Sequence, residues 1–459
     1  MADPIKHVVV FMLENRSFDQ MLGYLKALNP QVNGVDPAHP FCNPDVPGSN
    51  PPICQKPTTA RAIANDPLHD LNNVLRQIVG PCQNFVTDFA QTYPQSNTAE
   101  REEVVGFYPH GFLPALHGLA DNFLVCDAWF SSLPGPTWPN RFFVHSGTSL
   151  GFVDMPNGFW HPNIHIWDQT TVYDRLEEKN ISWKIYYGDF PQTLVMTHVL
   201  QFPFHYHHMS EFFSDAQGAE ANFPAYSFIE PSYFGAEQND QHPPTDVLKG
   251  DALLAQIYNA LRANAALWSS TLLVVLWDEH GGFCDHVPPP PAVPPDNHTN
   301  QYSFTQYGVR TPAVLVSPWV ARDVLHTQFD HTSVLKYATD KWGLGPLGNR
   351  TAAANSFAGA FLGTVRTDTP ASVPVTQVAP AVIPAAAPAA MAAATQKLNA
   401  NQAALLAFSE FLETKLAQVE PKENVARRAL MMAAPPPTQG SAAAERVEKY
   451  LDYRRRGLL

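Results

Sequence analysis

The sequence predicts an α/β fold, a mostly parallel sheet with helices on both faces, and three observations carry that expectation. Apolar runs of strand length recur along the chain, segments with helical spacing separate several of them, and two of the runs end in oxygen-bearing pairs. Ligand groups at the carboxyl ends of strands are what an open α/β sheet presents.

His7 to Leu13 is the first run, followed by Phe123 to Cys126, Trp183 to Tyr187, Tyr226 to Glu230, Leu272 to Trp277 and Ala313 to Val316. Short continuous apolar stretches suit strands buried on both sides. Gly250 to Ala266 has the spacing of an amphipathic helix feeding the strand at Leu272, and Asp330-His331-Thr332-Ser333 starts another that runs through Tyr337. The compact pattern fades near Gly348. A body is therefore expected over residues 1–364, an Ala/Pro-rich linker over 365–400 and a helical extension over 401–459. The extension should hold helices from about Asn401 to Val419 and from about Ala443 to Arg455. Its tail is basic, since residues 421–459 hold eight Lys or Arg against four Asp or Glu. A solvated helix whose cations complement its own dipole accounts for this; docking on the acidic body or an anionic surface is the alternative.

With 459 residues, 45% hydrophobic and 15% charged, the chain is globular and can bury a large core, while 43 prolines imply long irregular loops. The formal charge of -13 argues against a nucleic-acid partner. It does not exclude phosphate substrates, because a bound metal inverts the local field. No apolar stretch is long enough for a transmembrane segment, and peripheral membrane contact stays open. Nothing in Met-Ala-Asp-Pro-Ile-Lys-His reads as a signal peptide, so the cytoplasm is the default compartment, with periplasmic or secreted locations as alternatives. The odd count of cysteines, Cys42, Cys54, Cys82, Cys126 and Cys284, suits reduced thiols; a Cys42–Cys54 bridge needs an oxidising compartment. The oligomeric state is not legible.

Glu14-Asn15 and Asp278-Glu279 follow the first and fifth runs. If those strands are neighbours, three carboxylates and an amide meet, and the mutual repulsion of the acids asks for one divalent cation between them. An oxygen-rich set favours Ca, Mg or Mn, with Zn or Fe as alternatives that more often recruit Cys or His. Either pair alone also reads as a helix cap or as solvated loop acids.

Between the pairs, Gly135-Pro136-Thr137-Trp138-Pro139-Asn140-Arg141 leads into a helical stretch, Phe142 to Ser146. A hydroxyl at a helix mouth meets unpaired N–H groups and a positive dipole end, which stabilise an attacking alkoxide and an incoming phosphate. Arg141 lies one turn on, along the same face. Thr is also a common N-cap, so a capping role for Thr137 stands beside the nucleophile reading.

Glu14-Asn15-Arg16-Ser17-Phe18-Asp19, Gly135 to Arg141 as above, and Trp277-Asp278-Glu279-His280-Gly281-Gly282-Phe283-Cys284-Asp285-His286-Val287-Pro288-Pro289 resemble, in order and context, a known family. It is the phosphoesterase family of bacterial phospholipases C, plant non-specific phospholipases C and a bacterial acid phosphatase. Asn65-Asp66-Pro67-Leu68-His69, Gln241-His242-Pro243-Pro244 with Gly250, and Asp330-His331-Thr332-Ser333 extend the likeness over about residues 5–345. The resemblance implies an alkaline-phosphatase-like three-layer sandwich. It implies one metal held by Glu14, Asn15, Asp278 and Glu279 and touching Thr137, the nucleophile, with His69 and His242 facing the phosphoryl group. Arg141 and His331 are expected on the substrate side. For a further mid-chain active-site histidine of the family, His161, His165, His205, His207 and His208 compete. Thr137-x-Pro139-x-Arg141 distantly resembles the sulfatase signature, but Thr cannot become formylglycine.

The expected function is thus metal-dependent phosphoester hydrolysis through a phosphothreonine intermediate. Phospholipase C-type cleavage of a phosphodiester or phospholipid stands ahead of acid phosphatase (phosphomonoesterase) action, and a non-catalytic cation-binding protein is the alternative of another class. The extra C-terminal domains of large bacterial phospholipases are replaced here by the linker and short helices, which weakens the membrane-lipid assignment. Trp129, Phe130, Trp138, Phe152, Trp160, Trp167, Tyr186, Tyr187 and Tyr233 are candidates for an aromatic cage around a choline cation. His280 is expected to be structural, Asp285-His286 to pin their loop, and His205-Tyr206-His207-His208, lacking an acidic partner in sequence, to form a loop at the pocket mouth.

Overall fold

Each of the six apolar runs becomes a strand, and two short edge strands complete the sheet. The computed structural model describes residues 3–46, 51–156, 167–378, 397–419 and 439–459. In chain order the sheet takes β1 (His7–Leu13), β2 (Leu124–Cys126), β3 (Trp183–Tyr187), β4 (Tyr206–His208), β5 (Tyr226–Glu230), β6 (Thr271–Trp277), β7 (Ala313–Val316) and β8 (Asp323–Leu325). Across the sheet the order is β8-β2-β7-β6-β1-β5-β3-β4. All neighbours pair in parallel except β7, which runs against both β6 and β2. This is the mixed α/β architecture that the alternating pattern implies.

The helices used below are α1 (Leu71–Ile78), α2 (Pro114–Ala120), α3 (Thr137–Ser146), α4 (Val172–Glu178), α5 (Met209–Gln217), α6 (Val247–Ala263), α7 (Thr332–Trp342), α8 (Ala400–Val419) and α9 (Gln439–Arg455). Every residue of β1 and β6 is buried, so both faces of the sheet are covered. Two helix groups supply the cover: α6 packs with α2 and α5, and α3 packs with α4 and α7. The core continues into the C-terminal extension, where Leu405, Phe408, Leu412, Val447 and Leu451 join the cluster that contains the strands.

Three expectations change. Helix α6 starts earlier than Gly250, because the Asp246 side chain accepts from the Leu248 N–H at 3.0 Å and caps it. Packing does not fade near Gly348: Phe357 and Val373 are buried, and Val373 exchanges two hydrogen bonds with Asn259 at 2.8 and 2.9 Å. Cys42 and Cys54 face each other across a short antiparallel ribbon and are disulfide-bonded, leaving Cys82, Cys126 and Cys284 as buried free thiols. The odd count reflects one bridge plus three thiols. Of the expected linker, residues 379–396 lie outside the described set. No helix among the described residues is long and apolar enough to cross a membrane.

Candidate active site

β1 and β6 are hydrogen-bonded neighbours with Leu13 opposite Trp277, so Glu14 and Asp278 leave adjacent strand ends side by side. The two turns are tied together. The Asn15 and Glu279 N–H groups both donate to Asp278 Oδ1, at 3.2 and 2.8 Å, and the Arg16 N–H donates to the Glu279 carbonyl at 3.0 Å. Asn15 takes a left-handed backbone, φ 61°, an uncommon conformation for a residue with a side chain that often marks a functional site. Gly281 makes room for it: with φ 66°, a Cβ there would stand 2.4 Å from the Asn15 carbonyl oxygen.

Helix α3 reaches these acids through Arg141. Its N-cap is Pro136, so Thr137 is the first helical residue and its hydroxyl is not the cap. One turn later, Arg141 Nε donates to Asp278 Oδ2 at 2.9 Å, Nη2 lies 3.4 Å from Glu14 Oε1, and Nη1 donates to the Tyr233 hydroxyl at 2.9 Å. Thr137 and Arg141 share that face. Burial works against the Arg141 charge, but Tyr233, Asp278 and Glu14 outweigh it and hold the guanidinium firmly protonated. Its charge is therefore spent on the acids.

His69 and His242 meet above the acids, ring centroids 5.8 Å apart. Each ties Nδ1 to a loop carbonyl, Pro67 at 3.0 Å and Pro243 at 2.6 Å, which leaves Nε2 as the inward nitrogen in both. His69 Nε2 is 3.1 Å from Asn15 Nδ2 and 3.6 Å from Glu279 Oε1; His242 Nε2 is 3.6 Å from Asp66 Oδ2. Burial pushes His242 down, with Asp66 partly opposing. Burial also acts on His69, but Glu279 and Asp66 outweigh it and raise the ring to about 9. A ring that accepts from the Asn15 amide is uncharged, so geometry and field disagree here. A cation held beside Glu279 would offset the field that raises His69.

The fit to such a cation rests on unpaired oxygens. Glu14 Oε2, Asn15 Oδ1 and Glu279 Oε1 are buried and have no hydrogen-bond partner, although buried polar atoms are normally paired. Burial raises Glu14 well above the usual carboxylate range, against Arg141, and takes Glu279 to about 8, against His69. Oxygen donors alone, crowded and desolvated, suit a hard divalent ion. Asp278 has both oxygens engaged already, so its share as a ligand would use a second lone pair.

Other predicted residues lie elsewhere or do other work. His331 Nε2 donates to the Asp278 carbonyl at 2.6 Å and Nδ1 accepts from Trp129 Nε1 at 3.3 Å, so both nitrogens support the Asp278 turn and neither faces a substrate. His207 and His208 lie in the edge strand β4 and His205 ends the turn just before it, and all three do have acidic partners, Glu211, Glu448 and Glu177. His161 and His165 lie outside the described residues. His280 bonds Gln77 at 2.9 Å, a structural role as expected. Asp19, Asp285 and His286 cluster closely, but Arg310 already bonds both acids at 2.8 and 3.0 Å, so this group pins its loop. Of the cage candidates, Trp129, Phe130, Trp138, Trp167, Tyr186, Tyr187 and Tyr233 are buried, Phe152 is half-buried and Trp160 lies outside the described residues; Tyr233 packs under and bonds Arg141.

Sequence reasoning missed Asn401, whose Nδ2 donates to Glu14 Oε1 at 2.7 Å from the start of α8. Its motif signal is nil, since it lies beyond all the quoted segments. It also missed Asp66 as the partner of His242, although Asp66 lies in a quoted stretch.

Fold and site together define a class: phosphoric ester hydrolases built on an α/β sheet. A family model described as the phosphoesterase family matches residues 5–345, and the chain belongs to that family. Among its relatives, non-specific phospholipase C3 of Arabidopsis thaliana is 37% identical over 72% of this chain and 68% of its own. Non-specific phospholipase C6 of the same plant is 34% identical over 81% and 75%. Phospholipase C B of Mycobacterium tuberculosis is 28% identical over 80% and 78%. A solved structure of a protein in the alkaline phosphatase superfamily from Vibrio parahaemolyticus overlaps 76% of this chain and 68% of its own at 9% identity and a TM-score of 0.34, which adds nothing to the fold described above.

Proposed function

We propose that the chain cleaves phosphodiesters of the phospholipid type, releasing the alcohol and a phosphorylated head group, with Thr137 as nucleophile. The observation that carries the reading is a set of three unpaired buried oxygens, on Glu14, Asn15 and Glu279, in the turns that follow two adjacent strands and that Arg141 ties to the helix Thr137 begins. The relatives named as phospholipases C support the diester over the monoester.

Glu14, Asn15, Asp278 and Glu279 would hold one divalent ion. When bound, it supplies positive charge that lowers the pKa of the Thr137 hydroxyl and neutralises the phosphoryl oxygens. Thr137 Oγ1 forms a bond to phosphorus as the ester bond to the departing alcohol breaks, and that alcohol takes up a proton. The phosphothreonine then loses its phosphoryl group to water, which gives up a proton and restores the hydroxyl. His69 Nε2 and His242 Nε2 move these protons: one ring accepts the Thr137 hydroxyl proton and passes it to the departing alcohol, and the other accepts a proton from water and returns it to Thr137 Oγ1. The N–H groups of the first turn of α3 meet the phosphoryl oxygens. Arg141 holds Asp278 in place and balances the acids.

Turnover of p-nitrophenyl phosphorylcholine beside p-nitrophenyl phosphate, with and without a chelator, tests this. Chelator-sensitive turnover of the diester is expected. Monoester turnover alone would give the phosphomonoesterase reading, and no turnover of either with any added divalent ion would leave a cation-binding protein.

A further inference from the structure

The C-terminal extension reaches the heart of the site. Asn401, at the start of α8, is 1% exposed and lies between two groups of the proposed machinery. Its Nδ2 donates to Glu14 Oε1 at 2.7 Å, and its Oδ1 accepts from Trp138 Nε1 at 2.8 Å. Trp138 follows Thr137 directly in the first turn of α3. The next residue, Gln402, donates to the Tyr233 carbonyl at 2.6 Å, while the Tyr233 hydroxyl accepts from Arg141 and donates to Glu230 at 3.2 Å.

The consequence for Glu14 is directional. Oε1 carries Asn401 and lies 3.4 Å from Arg141, whereas Oε2 is buried with no partner. A carboxylate is free to turn about its last bond, and the Asn401 hydrogen bond together with the Arg141 ion pair on one oxygen fixes which oxygen is left without a partner. The seat of α8 is firm. Leu405, Phe408, Leu412 and Leu416 are buried in the main core, α8 packs along α9, and Arg455 of α9 donates to the carbonyls of Pro203 and Tyr206 at 3.1 and 2.8 Å.

We propose that Asn401 is a positioning residue of this active site: it locks Glu14 with Oε2 toward the cation and ties that ligand to the nucleophile's helix. The extension is then a working part of the centre, although it lies beyond the stretch that the family model matches. This inference rests on the cation reading above, and groups that orient a ligand in this way typically govern metal affinity.

The test uses the full chain stripped with chelator, then titrated with Mn2+ by calorimetry. Asn401→Leu keeps the branched shape and heavy-atom count and removes both hydrogen bonds; Leu416→Ala loosens the same helix far from the site. Expected is a loss of Mn2+ affinity of about 10- to 100-fold for Asn401→Leu, with kcat falling more than KM rises. Leu416→Ala should hold Mn2+ within about twofold of the unaltered chain, even where its melting midpoint falls as far. Unaltered Mn2+ affinity in Asn401→Leu, or an equal loss in Leu416→Ala, would overturn the positioning role alone. If the unaltered chain binds neither Mn2+ nor Ca2+, Mg2+ or Zn2+, the cation reading itself fails and takes this inference with it.

Discussion

At the scale of single residues, the chemistry turns on one hydroxyl. Thr137→Ala is expected to cut turnover at least tenfold, about 1.4 kcal/mol of barrier, while the metal content measured by elemental analysis stays that of the unaltered chain. Retained turnover above a tenth would remove Thr137 as nucleophile. A different residue contributes to the loss of stability in acid. His117 is buried, accepts from the Gly111 N–H at Nδ1 (2.9 Å) and donates from Nε2 to the Met21 carbonyl (3.0 Å), so a second ring proton has no acceptor. Burial pushes its pKa down to about 3. The unfolded chain takes up this proton below about pH 6.5 and the folded chain does not, so stability is full above that pH and declines by up to about 1.4 kcal/mol per unit on the way down. Urea melts of the unaltered chain and His117→Gln between pH 7 and 4 should diverge in slope; parallel slopes would discount the residue.

At the scale of elements, the site depends on turns more than on regular structure. Gly281 lets the loop after β6 lie against the Asn15 backbone. Gly281→Ala is expected to cost at least about 1 kcal/mol and to shift Asn15, reducing metal affinity together with stability. Loss of neither would mean the loop adapts elsewhere. What sequence made legible divides along the same line. The central strands were readable because burial on both faces demands unbroken apolar runs, and Trp183 to Tyr187, Tyr226 to Glu230 and Ala313 to Val316 match to the residue. The edge strands Tyr206–His208 and Asp323–Leu325 escaped, since three half-covered residues leave no such pattern. Glu14, Asn15, Asp278 and Glu279 were legible as pairs at strand ends, and register alone brought them together. Asn401 was not, because one amide at the start of a helix carries no sequence mark of the partner it finds across the fold.

At the scale of the whole molecule, body and extension share one core, and the thiol chemistry follows from that burial. Under denaturing conditions without reductant, three thiols should react with a maleimide, Cys82, Cys126 and Cys284; with reductant, all five should. Five without reductant would mean that the Cys42–Cys54 bridge is absent from the isolated protein.

The central position of β1 has a consequence in time. Flanked by β5 and β6 and buried along its whole length, β1 cannot expose its amides without the sheet coming apart, whereas β4 and β8 lie at the two edges. In deuterium exchange the amides of Val8 to Met12 should be among the last to label, tracking global unfolding, and those of β4 and β8 should label earlier. Glu14 and Asn15 continue directly from that strand, so the anchor of these two residues is among the slowest-opening parts of the protein.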